Sequence, residues 1–68
     1  MKFIDLIKKI NLNTSIEIYY NDCEFVNEGT VKQIIKTYAW DWFLANKEIK
    51  NITINKESKA LMITLIRN

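Results

Sequence analysis

Residues 60 to 66 read "ALMITLI", and no other stretch constrains the fold as tightly. Written as a strand, Leu61, Ile63 and Leu65 fall on one face and Ala60, Met62 and Ile66 on the other. A half-wet strand alternates apolar with polar residues, whereas this one is largely apolar on both sides. Such a strand lies inside a sheet, or has its second face covered. The chain must supply the flanking elements from only 68 residues. At that length the expectation is one domain, residues 1–68, near the lower limit for a core that stands without staples.

Partners for that strand are visible. Ile52 and Ile54 alternate with Thr53 and Asn55, and "NKESK" supplies a polar loop back into "ALMITLI". Upstream, in "SIEIYYNDCEF", Ile16, Ile18 and Tyr20 alternate with Glu17 and Tyr19, the period-2 pattern of a half-buried strand. Asn21-Asp22 reads as a two-residue turn, because both residues tolerate positive φ. That turn sets Tyr20 opposite Cys23, Tyr19 opposite Glu24 and Ile18 opposite Phe25, with the last pair on the core side. Gly29 predicts a bend or bulge in the second strand.

Helical periodicity occupies the rest. Phe3, Leu6, Ile7 and Ile10 form the apolar face of a first helix ending near Asn11. From about residue 30 to 46 the helical period returns, with Thr30 as N-cap. Val31, Ile34, Ile35, Tyr38, Trp42 and Ala45 lie on one stripe of that second helix. The predicted architecture is α+β, in the order α-β-β-α-β-β, with two helices packed on one face of a four-stranded, mostly antiparallel sheet.

The second helix contains "TYAWDWFLAN", which holds both tryptophans. On a regular helix Trp42 falls within about 20° of the apolar stripe, so it and Tyr38 read as core. Trp40 lies about 200° round from that stripe's Trp42. It would face outward, with Phe43 and Leu44 beside it and Lys36 and Lys47 flanking, the composition of a partner-binding or dimer patch. A helix that bends or ends near Trp40 would instead fold Phe43 and Leu44 under the loop toward Ile49, or wrap Trp40 against the first helix.

The charge is unevenly placed. The net +2 resolves into +2 for residues 1–14, −4 for residues 15–31 and +4 for residues 32–68. Under the register above, Glu17, Tyr19, Glu24, Val26 and Glu28 share the face opposite Ile18. That face is either a solvated surface that keeps the sheet soluble or a contact for a basic protein or a mimic of phosphate charge. The lysines of the second helix and second hairpin (Lys32, Lys36, Lys47, Lys50, Lys56 and Lys59) suggest nucleic acid as an alternative partner. Against it, Arg67 is the single arginine, and arginine is the residue suited to bidentate phosphate or base contacts.

Several function classes are disfavoured. The chain has no His, one Cys and one Gly. The commonest general base, the usual zinc sites and any phosphate-cradling glycine loop are therefore missing. The expectation is a non-enzymatic protein with no cofactor and no metal. The apolar runs fall short of the roughly 20 residues that span a bilayer, so no membrane association is expected. A lone Cys23 forms no internal disulfide, which points to a reducing, cytoplasmic setting.

The succession "FIDLIKKI", "NTSIEIYYND", "FVNEGTVKQI" and "NKEIKNITINKESKALMITL" resembles small uncharacterised phage and prophage proteins of Firmicutes. Those share a leading helix, a hairpin with "EG" near its end, and a closing strand pair. The "TYAWDWFLAN" stretch departs from them, since their corresponding helix is shorter and less aromatic. The resemblance implies an accessory role exercised by binding, such as inhibition or modulation of a host enzyme or defence complex, as anti-CRISPR proteins do. It supplies no functional residues to map.

Overall fold

The strand that is apolar on both faces is an interior strand. In the computed structural model, which describes residues 1–67, β4 (Leu61–Leu65) lies between β1 (Ser15–Tyr20) and β3 (Ile49–Ile54). It runs parallel to β1 and antiparallel to β3, and β2 (Phe25–Thr30) pairs antiparallel with the far side of β1. The result is a four-stranded mixed sheet in the order β2-β1-β4-β3. The central parallel pair requires a long crossover. That crossover comprises β2, the short helix α2 (Val31–Ile34), a π-helical turn (Trp40–Leu44) and β3.

One face of the sheet is covered. Ile16 and Ile18 of β1 and Ile63 and Leu65 of β4 meet helical residues in a single core. Helix α1 (Phe3–Ile7) contributes Phe3, Leu6 and Ile7, and the crossover contributes Val31, Ile34, Trp40, Leu44 and Ala45. The first turn of α1 has amide donors that need acceptors. Phe3 N–H and Ile4 N–H find them on the carbonyls of Lys47 and Ala45, both at 2.9 Å, just beyond the π-turn. The two helical segments are thus joined by main-chain bonds as well as by packing.

The first hairpin departs from the expected register. Its loop spans residues 21–23: Cys23 N–H bonds to the Tyr20 carbonyl at 2.9 Å and Cys23 takes a φ of 70°. A second irregularity follows, for Ile18 pairs with Asn27 while Tyr19 pairs with Phe25. Val26 is the extra residue. Phe25 therefore stands on the uncovered face against Tyr19, with ring centroids 5.5 Å apart, and not opposite Ile18 in the core. Val26, expected on the uncovered face, packs against the core instead.

The irregularity lies at Val26, and Gly29 has a different task. Gly29 adopts φ 151°, and a Cβ there would meet Gln33 Oε1 at 2.8 Å. That oxygen accepts from Thr30 N–H at 2.9 Å, while Gln33 N–H donates to Thr30 Oγ1 at 3.2 Å. Gly29 thus lets the strand turn directly into the capping box that starts α2. Thr30 is the cap that its residue type suggests. The other edge strand, β3, also shifts register between Ile49 and Asn51. Irregular edges of this kind discourage pairing with a further strand.

Candidate functional site

The second helix is broken, and the break inverts its predicted faces. Helix α2 stops at Ile34, and the next helical stretch is out of phase with it. Thr37 makes the break: its hydroxyl donates to the Ile34 carbonyl at 2.7 Å and accepts from Trp40 N–H at 3.2 Å. One side chain therefore closes the first segment and caps the second. Beyond it, Ala45 N–H bonds to the Trp40 carbonyl at 3.0 Å, the i to i+5 spacing of a π-helix.

The new phase turns Trp40 inward. It is 6% exposed and sets its ring against Phe3 of α1, edge to face, with centroids 5.0 Å apart. Leu44, one turn on, is 1% exposed. Trp40 and Leu44 therefore do not belong to an outward patch; they anchor the crossover to α1. Of the outward trio expected from a regular helix, Phe43 alone is outside, at 60% exposed.

In place of the other two stand Tyr38 and Trp42, the residues that the regular helix assigned to the core. They are 72% and 68% exposed, with ring centroids 5.8 Å apart. Phe43 and Trp42 together wall a hollow of about 310 Å³ that is completed by Asn46, Lys47 and Glu48. Three large aromatic side chains thus sit outside on one short helical segment whose inner face is pinned by Trp40 and Leu44. The available sequence signal was Thr37, a good N-cap residue three positions ahead of Trp40.

The acidic hairpin is largely satisfied from within. Glu17 is 7% exposed and directly opposite Glu28 in the β1–β2 pairing. Its carboxylate accepts from Asn55 Nδ2 at 3.1 Å, from Ser58 Oγ at 2.8 Å and from the Tyr19 hydroxyl at 3.4 Å. The Asn55 bond, then that from Ser58, holds the Glu17 carboxyl below the ordinary glutamate range, although desolvation opposes this. Desolvation, then the Glu17 charge, raises the Tyr19 phenol. So Glu17 does not present an open carboxylate, and Tyr19 is tied to it.

Glu24 and Asp22 are engaged as well. The Arg67 guanidinium reaches Glu24 at 2.6 Å and Asp22 at 2.9 Å, and lies 4.2 Å from the centre of the Tyr20 ring. The Arg67 hydrogen bonds hold the Asp22 carboxyl below its usual value. Glu28 is exposed and makes no ion pair among the described residues. Two of the four acids in this segment are thus paired with a single guanidinium from the far end of the chain. Nothing in residues 15–31 alone could reveal that.

The uncovered sheet face also carries a concavity of about 390 Å³ between Tyr19, Cys23, Lys50, Asn51, Met62 and Thr64. Among the described residues no group of three or more His, Cys, Asp and Glu side chains is placed to hold a metal ion. No described helix is long and apolar enough to cross a membrane. No protein-family model, curated protein or solved structure matches the chain.

Proposed function

We propose that the protein is a non-enzymatic protein-binding module whose contact surface is the Tyr38–Trp42–Phe43 patch. The observation that carries this reading is the exposure of three large aromatic side chains on one pinned helical segment. Apolar surface left in water forgoes about 25 cal/mol per Å² that burial would supply. Tyrosine and tryptophan are also the residues that most often dominate binding energy at the centre of an interface. Binding alone would suffice for the accessory role that the phage resemblance implies. A reducing cytoplasm is the proposed setting, where the exposed Cys23 stays a thiol.

The test compares wild type with a Tyr38→Ala/Trp42→Ala double variant, both first shown to be folded by circular dichroism. Association of each with itself and with retained cellular proteins is measured, and every retained protein is then purified and titrated directly. The proposal expects association in wild type that the double variant weakens at least about tenfold, the loss of one hot-spot contact. Equal association by the two proteins, or none by wild type, overturns it.

A further inference from the structure

We infer that the occupant of the patch is a second copy of this chain, related to the first by a two-fold axis. This rests on the patch being a protein contact and names its partner. Charge is the first reason. The charged neighbours of the rings in sequence and around the hollow are Lys36, Asp41, Lys47 and Glu48, the last already paired with the Met1 ammonium at 3.1 Å. A partner chosen by charge would face a field of one sign, whereas a rim of mixed sign, with Asp41 close to Lys36 in sequence, can set acid against base across a two-fold axis.

Shape is the second reason. The rings of Trp42 and Phe43 are exposed and also form one wall of the 310 Å³ hollow. Protrusion and recess therefore adjoin. A two-fold axis beside them sets the rings of each copy at the recess of the other, which is the self-complementary arrangement of an isologous interface. The hollow is at the lower end of ligand-pocket volumes, roughly 300–1,000 Å³, and has room for an aromatic side chain.

Area sets the strength. An aromatic side chain presents about 150–250 Å², so three at 60–72% exposure offer about 400 Å² per copy. Two copies bury about 800 Å² from the rings, and the rim brings the total toward the ~1,200 Å² at which specific interfaces begin. The dimer is accordingly weak, with a dissociation constant on the order of micromolar or above. The sheet edges offer a poorer route to self-association, since both edge pairings carry a register shift.

Sedimentation equilibrium from about 1 μM to about 1 mM, the range that brackets such an affinity, tests the inference. The mass should rise from 8.1 kDa toward twice that value. Trp42→Lys should stay monomeric throughout, while Phe25→Ala, on the uncovered sheet face, should dimerise as wild type does. In Trp40→Phe, where Trp42 is the sole indole, protection from acrylamide should grow in step with mass. A constant monomer mass, or a dimer that Trp42→Lys leaves intact, overturns the inference. A monomer with an accessible Trp42 removes only the second copy as partner. A monomer with Trp42 protected removes the patch as a contact too.

Discussion

Replacing each tryptophan by alanine should have very unequal consequences for stability. Trp40 is 6% exposed and packs edge to face on Phe3 at 5.0 Å, so truncation empties the junction between α1 and the crossover. Trp→Ala in a packed core costs about 3–5 kcal/mol. A chain of 68 residues has a total stability of roughly 3–10 kcal/mol. Trp40→Ala should therefore consume a third or more of that stability and can unfold the protein outright. Trp42, at 68% exposed, should cost within about 0.5 kcal/mol when truncated. Urea titrations followed by far-UV circular dichroism, which does not depend on the indoles, give both values. They should be run dilute, because self-association would add apparent stability to wild type. A Trp42→Ala variant as unstable as Trp40→Ala would refute the placement of both side chains.

Three other outcomes follow from the same geometry. Thr37→Ala removes the hydroxyl that bridges Ile34 and Trp40, and should lower stability by about 0.5–2 kcal/mol in urea titrations. Gly29→Ala places a Cβ at φ 151° and within 2.8 Å of Gln33 Oε1, so its melting temperature should fall by the equivalent of about 1–3 kcal/mol. The Glu17 and Asp22 carboxyls are held below their ordinary values, so the unfolded chain binds protons more readily than the folded one. Their contribution is complete above the ordinary carboxylate range of about 4 and is lost as pH falls through the lower folded values. The urea midpoint should therefore drop on acidification, and Glu17→Gln should be less stable at neutral pH with a shallower acid dependence.

What the sequence disclosed was what short-range periodicity can encode. The interior position of β4 follows from its two apolar faces, and the start of α2 follows from Thr30. The apolar face of α1 likewise follows from Phe3, Leu6 and Ile7. Phase was lost wherever one residue reset the period. A hydroxyl at Thr37 moved Trp40 to the inside and Trp42 to the outside, against a wheel that assumed one continuous helix. Cys23 occupies positive φ without being Gly, Asn or Asp, so the loop length was concealed and Phe25 was assigned to the wrong face. The pairing of Arg67 with Asp22 and Glu24 joins residues more than forty positions apart, and local charge counting cannot register it. Glu17 read as an open carboxylate for the same reason, since Asn55 and Ser58 reach it from a distant loop.

The claim on which the proposed contact surface depends is that Trp40 is inside and Trp42 outside. Acrylamide quenching of two single-tryptophan variants, Trp40→Phe and Trp42→Phe, measures it directly at a concentration low enough to keep the chain monomeric. Trp42 should emit at the longer wavelength and be quenched several-fold more steeply than Trp40. The reverse order, with Trp40 the more accessible indole, would contradict the account.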